Sequence, residues 1–154
     1  MAKAKFKVLL VDDEEDFVKA LAERLQMRDF GPDVALSGEE ALQSIGSEIP
    51  DVMVLDLRMP GIDGMEVLRR VKKAYPEVQV IILTGHGSEK DEEEARRLGA
   101  FEYLQKPVNI DHLVKVLKDA YKAKLEQHGA AIAFAEEGMY SAAREIMDED
   151  KKKH

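Results

Sequence analysis

Short apolar runs alternate with amphipathic stretches along most of this chain of 154 residues, and this alternation constrains its fold more than any other feature. Most runs are followed by a stretch whose apolar residues recur at helical spacing. The exception is Glu89–Leu98, after the fourth run, which predicts a helix with an acidic first half and only Ala95 and Leu98 to face the sheet. The runs are Phe6–Val11, Val34–Leu36, Val52–Leu55, Val78–Leu83 and Phe101–Leu104. Strands that alternate with helices form a parallel sheet covered by helices on both faces. The sequence therefore predicts an α/β fold built from five strand–helix units.

Polar residues stand where four of these runs stop. Asp12 and Asp13 follow the first run, Asp56 follows the third, and Thr84 follows the fourth. Lys106 comes just after the fifth run. The carboxyl ends of parallel strands lie along one edge of a sheet, and open α/β sheets bind their ligands at that edge. We therefore expect three carboxylates, a hydroxyl and an ammonium group to meet in one pocket.

A pocket of this composition suits a divalent cation and a phosphoryl group. Mg²⁺ takes oxygen ligands, usually one or two carboxylates together with water and phosphate oxygens. Three crowded carboxylates repel one another unless a cation joins them. A carboxylate is also a nucleophile that can form an aspartyl-phosphate. Taken singly, each residue has an ordinary alternative role, such as a helix N-cap for a strand-terminal Asp; their joint occurrence favours the shared site.

Composition excludes several other classes of function. The formal net charge is -8, from 31 acidic and 23 basic residues, which disfavours binding to nucleic acids and to anionic membranes. The chain has no cysteine, so disulfides and thiolate metal sites are excluded. The apolar run near the N-terminus is too short for a signal peptide or a membrane span, and we expect a cytoplasmic protein.

The stretches around these positions resemble the receiver domain of bacterial two-component response regulators. The matching stretches are VLLVDDEEDF, DVMVLDLRMPGIDGMEVL, VIILTGHG and YLQKP. The resemblance covers about residues 5–124. It implies a flavodoxin-like (βα)5 fold, a doubly wound parallel sheet with strand order 2-1-3-4-5. We accordingly expect a receiver domain over residues 1–124.

The resemblance also implies roles for the residues of the pocket. Asp56 is the expected phospho-acceptor, and Thr84 and Lys106 are expected to contact the phosphoryl group. Thr84 and Tyr103 would form the switch, in which the threonine hydroxyl moves toward the phosphate and the aromatic ring follows it inward. The Lys106–Pro107 peptide bond is expected to be cis, which would direct Lys106 into the pocket.

The resemblance extends to the metal ion and to the lifetime of the phosphate. Asp13 and Asp56 are expected to bind Mg²⁺ directly, together with the backbone carbonyl of Arg58, while Asp12 acts largely through water. Arg58 lies two residues after Asp56, and His86 lies two residues after the threonine. Both are expected to overhang the pocket and to tune the rate of dephosphorylation.

Residues 125–154 lie beyond the resemblance, and we expect one or two extra helices there, followed by a charged tail. This extension is too short and too acidic for a DNA-binding domain, so we expect a stand-alone receiver without direct DNA binding. The stretch AFAEEGMYSAAREI looks like the middle of a tetratricopeptide-type hairpin, which cannot bury its apolar face without neighbours. Two interpretations stay open: helices that dock on the receiver or mediate self-association, as in a homodimer, and a docking tail for a partner.

The expected function is that of a stand-alone response regulator. It would take a phosphoryl group from the phosphohistidine of a histidine kinase and signal by binding a downstream protein target. Such a protein catalyses only its own phosphorylation and dephosphorylation and is not a turnover enzyme. The alternative is a phosphorelay intermediate that passes the phosphate to a histidine phosphotransfer protein.

Two further classes fit the sequence less well. Phosphoaspartyl hydrolases also use paired aspartates and a lysine, but their nucleophile lies in a DxD motif after the first strand. Here the two aspartates are adjacent, at Asp12 and Asp13. A structural module that works without phosphorylation would have no use for the complete acidic set.

Overall fold

Five parallel strands form a single sheet in the computed structural model, which describes residues 6–129. The order of the strands across the sheet is β2-β1-β3-β4-β5. The strands are β1 (Val8–Val11), β2 (Asp33–Ala35), β3 (Val52–Leu55), β4 (Gln79–Thr84) and β5 (Glu102–Gln105). The predicted fold class and strand order are confirmed.

Five α-helices alternate with the strands along the chain. They are α1 (Glu15–Gln26), α2 (Gly38–Ser47), α3 (Gly64–Ala74), α4 (Glu89–Arg97) and α5 (Ile110–Lys124). A π-helical turn, Leu125–Gly129, continues the chain after α5. The rest of the predicted helical extension, and its charged tail, lies outside the described residues.

Short polar side chains fix where several helices begin. The Ser37 hydroxyl accepts a hydrogen bond of 3.0 Å from the amide of Glu40 at the start of α2. The Asn109 side chain accepts one of 3.1 Å from the amide of His112 at the start of α5. These N-caps satisfy amides that have no partner within their own helix. At the other end, α3 stops two residues before Pro76, which cannot continue a helix.

The sheet is buried on both faces, because successive side chains of a strand point in opposite directions. In β1, for example, Leu9 and Val11 pack in a core shared with α2, α3 and α4. Val8 and Leu10 pack in a second core shared with α1 and α5. Every residue of β1, β3 and β4 is buried, as expected for the central strands of a parallel sheet.

The helix α4 is attached to the sheet more weakly than the other helices. Its single buried residue is Ala95, whereas α1, α2, α3 and α5 each bury at least three. Leu98, just beyond its last turn, packs on the first core while partly exposed. The acidic first half of α4 therefore has no apolar side chain in the core, as the sequence predicts. Within residues 6–129, no helix combines the length and apolar character that a membrane crossing requires.

Candidate functional site

The sheet brings the predicted polar residues together at the carboxyl ends of its strands. The amide of Asp12 donates to the last carbonyl of β2 at 3.1 Å, and the amide of Asp56 donates to the last carbonyl of β1 at 3.0 Å. The amide of Lys106 donates to the carbonyl of Thr84 at 3.0 Å. Each residue thus continues the ladder of its strand by one step. Its side chain starts from a fixed backbone position at the sheet edge.

Three carboxylates form a compact cluster at this edge. One carboxylate oxygen each from Asp12, Asp13 and Asp56 lie within 4.8 Å of one another. Asp12 and Asp56 are buried, with 4% and 3% of their surface exposed, while Asp13 is exposed. Burial raises the pKa of Asp12, and the charge of Asp56 adds to that rise, although hydrogen bonds from Lys106 and the Glu14 amide oppose it. The cluster therefore carries an electrostatic cost that a cation would relieve.

Lys106 supplies the positive charge beside these carboxylates. Its Nζ lies 2.7 Å from Asp12 Oδ2, 2.6 Å from Glu14 Oε1 and 3.7 Å from Asp56 Oδ2. It also lies 4.3 Å from the centre of the Phe17 ring, within the range of a cation–π contact. Burial lowers the pKa of this amine, but the hydrogen bonds to the two nearer carboxylates outweigh it and raise the pKa overall. Lys106 is therefore cationic at neutral pH, and its peptide bond to the following proline is cis.

Thr84 and Tyr103 share the space beneath a glycine in the loop after β4. Thr84 is fully buried, and its Oγ1 lies 3.4 Å from the amide nitrogen of His86. Tyr103 is only 8% exposed. A Cβ atom at Gly87 would lie 1.5 Å from Tyr103 Oη and 3.0 Å from Thr84 Cγ2, so the two side chains and the glycine are in direct contact. The Tyr103 ring is thus already directed inward in this structure.

The hydroxyl of Tyr103 has no hydrogen-bond partner among the described residues. Burial raises the pKa of this phenol, and the nearby charges of Asp91 and Glu92 raise it further. The tyrosine is therefore neutral at physiological pH and carries an unsatisfied buried hydroxyl.

Arg58 connects the loop after β3 to the start of α4. Its amide nitrogen lies 3.4 Å from Asp56 Oδ1, while its guanidinium binds Asp91 with an Nη2–Oδ2 distance of 2.7 Å. The same Asp91 oxygen accepts the amide of Ser88 at 3.0 Å, and the Ser88 hydroxyl accepts the Asp91 amide. This capping box fixes the first turn of α4. Arg58 therefore links the neighbourhood of Asp56 to that turn.

Two residues of this site are not predicted from the sequence. Glu14 pairs with Lys106, and Asp91 pairs with Arg58. In the sequence, Glu14 is one acidic residue in a run of five, and nothing distinguishes it from its neighbours. Asp91 has a detectable signal, because Ser88 three residues earlier completes a capping-box pattern.

The donor set fits a hard divalent cation. Carboxylate oxygens are the ligands that Mg²⁺ prefers, and an exposed side of the cluster, at Asp13, leaves room for water ligands. Asp56 and Asp13 can supply direct ligands, whereas Asp12 already binds Lys106 and the Glu14 amide. The three residues of this cluster offer neither nitrogen nor sulfur ligands, which disfavours zinc.

Comparison with known proteins places this geometry in a family. The model of the response regulator receiver domain matches residues 8–118. A putative NtrX-like response regulator of Rickettsia typhi is 38% identical over 119 residues, which are 76% of this chain and 25% of that protein. Transcriptional regulatory protein GlrR of Escherichia coli strain K12 is 40% identical over 124 residues, which are 80% of this chain and 27% of that protein. The chain thus spans about a quarter of the length of these curated relatives.

A solved structure supports the same assignment. A response regulator receiver domain protein from Clostridium thermocellum superimposes with a TM-score of 0.73 at 36% identity. The superposition covers 77% of this chain and 96% of that one. The similarity in fold therefore extends over almost the whole of that domain.

Proposed function

The chain belongs to the response regulator receiver domain family, and on that premise we propose that it accepts a phosphoryl group on Asp56 from the phosphohistidine of a histidine kinase. One observation carries this proposal. Asp56 is a buried carboxylate with a lysine ammonium 3.7 Å away and two further carboxylates within 4.8 Å. The ammonium, together with a cation held by the carboxylates, would neutralise charge on a phosphoryl group while it is transferred.

The transfer step forms one bond and breaks another. A carboxylate oxygen of Asp56 attacks phosphorus, and an oxygen–phosphorus bond replaces the phosphorus–nitrogen bond of the donor. The electron pair of the broken bond goes to the imidazole nitrogen, and the donor histidine leaves as the free base. The product is an acyl phosphate.

The side chains around Asp56 assist by position and charge. Lys106 neutralises one phosphoryl oxygen, and the hydroxyl of Thr84 donates a hydrogen bond to another. A magnesium ion, when bound, would neutralise charge on the transferring group as a Lewis acid. Asp13 and Asp56 would hold the ion together with the backbone carbonyl of Arg58, and Asp12 would orient its water ligands.

The same contacts offer a route from phosphate to signal. The Thr84 hydroxyl can turn toward a phosphoryl oxygen only by changing its contact with the His86 amide. Because Thr84 and Tyr103 pack against the same glycine, this rotation changes the packing of the tyrosine. The weakly anchored α4 lies next to Tyr103 and can shift at low free-energy cost. We propose that a downstream protein recognises the shifted α4–β5–α5 face.

This route predicts fast amide exchange in α4. In the unphosphorylated chain, the amides of residues 88–98 should exchange faster with solvent than those of α3 or α5. Hydrogen-exchange mass spectrometry measures this directly. Slow exchange throughout residues 88–98 would count strongly against the proposed route.

Arg58 and His86 are proposed to set the lifetime of the phosphate. Both belong to loops that contact the acceptor side, because their amides approach Asp56 Oδ1 and Thr84 Oγ1. The side chain of His86, and that of Arg58 when it leaves Asp91, can order or exclude the attacking water. Phosphate loss from Arg58→Ala and His86→Ala, measured against wild type, tests this role, and unchanged rates would end it.

The cellular setting is also proposed. We propose that the protein acts in the cytoplasm and signals by binding a separate protein. The relay alternative differs in one observable, namely transfer of phosphate from the phosphorylated chain to a histidine phosphotransfer protein. A pull-down with the phosphorylated form would identify the target.

The central experiment maps the phosphate. The full chain is incubated with magnesium and acetyl phosphate, and the modified residue is located by mass spectrometry after borohydride reduction. We expect modification at Asp56, its loss on chelation of the metal, and none in Asp56→Ala. Equal modification of Asp56→Ala would refute the assignment.

A further inference from the structure

The ammonium of Lys106 is held on the α1 side of the pocket. Its two short contacts are to Glu14 Oε1 at 2.6 Å and Asp12 Oδ2 at 2.7 Å, while Asp56 Oδ2 lies 3.7 Å away. The acceptor carboxylate is thus the farthest of the three partners and lies beyond hydrogen-bonding distance. A phosphoryl group on Asp56 must therefore compete with Asp12 and Glu14 for the ammonium of Lys106.

Glu14 is the partner whose position needs explaining. It occupies the N-cap position of α1, yet its side chain makes no capping hydrogen bond. Instead the side chain reaches Lys106 across a sequence separation of 92 residues. Glu14 is 57% exposed at its side chain, whereas Lys106 is 12% exposed. The contact therefore lies at the mouth of the pocket and involves a carboxylate that no role described above requires.

We propose that Glu14 is a positioning residue that restrains phosphorylation by competing with the phosphoryl group for Lys106. This inference rests on the proposed function of Asp56 as acceptor. It assigns to Glu14 a quantitative role: its carboxylate sets how much of the lysine charge is available to the acyl phosphate.

Two physical effects act in the same direction. An acyl phosphate carries more negative charge than the free carboxylate, so Lys106 gains more by turning to the phosphorylated form than to the free one. The competing bond to Glu14 reduces that gain. The negative charge of Glu14, next to Lys106, also repels the added phosphoryl charge. Removing the charge of Glu14 should therefore favour the phosphorylated state through both effects.

The test compares two neighbouring carboxylates of equal charge. Glu14→Gln removes the bond to Lys106, and Glu15→Gln removes the same charge one residue later, where the side chain pairs with Lys19 instead. Each full-length variant is incubated with saturating magnesium and acetyl phosphate, and the initial rate of phosphorylation is measured. Affinity for trifluoroberyllate, a phosphoryl analogue, is measured by calorimetry. We expect Glu14→Gln to raise both by about two- to fivefold, the range of a partly screened ion pair, and Glu15→Gln to match wild type.

One further variant separates the length of the Glu14 side chain from its charge, and another tests whether the effect of Glu14 on phosphorylation depends on Lys106. Glu14→Asp keeps the charge but shortens the side chain by one methylene, so it should behave largely like Glu14→Gln. In a Lys106→Ala background, Glu14→Gln should raise trifluoroberyllate affinity by clearly less than in the wild-type background. In the metal-free protein, the ε-methylene NMR signal of Lys106 should shift in Glu14→Gln, because the ammonium moves relative to the Phe17 ring.

The outcomes distinguish this inference from the proposed function. If wild type takes up no phosphate at Asp56, the proposed function fails and the inference fails with it. If wild type is phosphorylated but Glu14→Gln equals wild type and Glu15→Gln, the inference alone is overturned. An equal increase in both glutamine variants would also overturn it, since that result reflects general charge.

Discussion

At the scale of single residues, the three close carboxylates of the site repel one another unless a cation is bound. Asp12 is buried beside Asp56, and Lys106, which lies next to both, is shared with Glu14. Groups whose burial costs free energy in this way are found more often at functional sites than elsewhere. In this protein the carboxylate of Asp12 and the hydroxyl of Tyr103 are two such groups.

Replacing Asp12 by Asn should stabilise the metal-free protein, by roughly 1 kcal/mol. The pKa of Asp12 is raised by burial, so its charged form is disfavoured in the fold, and Lys106 keeps Glu14 as a partner after the change. A raised folded-state pKa means that this group's contribution to stability is complete below the unfolded-state pKa and is lost as the pH rises through the folded-state pKa. The unfolding free energy of the variant should therefore exceed that of wild type by an amount that grows as the pH rises above about 4, the unfolded-state pKa of aspartate.

Urea denaturation in EDTA at several pH values measures this difference. Asp33→Asn, an exposed change at the start of β2, is the control, and its difference from wild type in unfolding free energy should not grow with pH in this way. Added magnesium should narrow the difference by stabilising wild type. A difference that closes as the pH rises would contradict the electrostatic account of Asp12.

Replacing Tyr103 by Phe should also stabilise the protein, by about 1 kcal/mol. The change removes a buried hydroxyl that has no partner among the described residues and leaves the ring in place. Tyr121→Phe is a matched control, because that ring is half-buried and stacks on Phe6 with a centroid distance of 4.3 Å. Thermal unfolding of both variants measures the effect. A destabilised Tyr103→Phe would show that the hydroxyl is bonded in the free protein.

At the scale of elements, the start of α3 is the most tightly built junction near the site. Gly64 is the first residue of α3, and its amide donates to the carbonyl of Leu57 at 3.0 Å. A Cβ atom at Gly64 would lie 2.1 Å from the carbonyl oxygen of Asp56. The helix therefore approaches the acceptor residue as closely as a glycine allows.

The Gly64→Ala change should therefore destabilise the protein by roughly 2–3 kcal/mol. Because the new methyl group displaces the backbone of Asp56, phosphorylation should also slow. Gly46→Ala is the matched control, because that glycine lies within α2 and a Cβ atom there would meet no neighbouring group within 4 Å. Alanine at this position should raise the free energy of unfolding by about 0.5–1 kcal/mol. Chemical denaturation should show that the two variants change the unfolding free energy in opposite directions. A Gly64→Ala variant as stable as wild type would refute the close contact.

The weak attachment of α4 follows from its local sequence, whereas its contact with Arg58 does not. The run of acidic residues correctly predicts a helix with little apolar anchoring, because helical spacing leaves only Ala95 and Leu98 facing the sheet. The bond from Arg58 to Asp91 was not predicted. That bond depends on the distance between two loops, which local spacing does not encode.

At the scale of the whole molecule, one carboxylate ties three distant segments together at the edge opposite the site. Asp51 Oδ2 accepts the amide of Lys7 at 2.7 Å, and Asp51 Oδ1 pairs with Lys124 at the end of α5. Its own amide donates to the carbonyl of Lys7 at 2.9 Å. Asp51 thus joins the starts of β1 and β3 to the last turn of α5.

The Asp51→Ala change should cost about 1–2 kcal/mol of unfolding free energy, because it leaves the Lys7 amide and the partly buried Lys124 ammonium without their acceptor. Glu48→Ala is the control, since its ion pair with Lys7 is more than half exposed and should contribute little. Equilibrium denaturation compares the two. Equal losses of unfolding free energy would show that the exposed Lys7–Glu48 pair stabilises the protein as much as the contacts of Asp51.

The sequence by itself determined the fold class, the strand order through the family resemblance, and the identity of the polar residues at the strand ends. Those properties follow from local periodicity and from the rule that parallel strands place their carboxyl ends on one edge. Tertiary structure alone decided which charges meet. Glu14 reaches Lys106 and Arg58 reaches Asp91 because loops distant in sequence converge, and a long side chain selects its partner by distances that only the folded chain fixes.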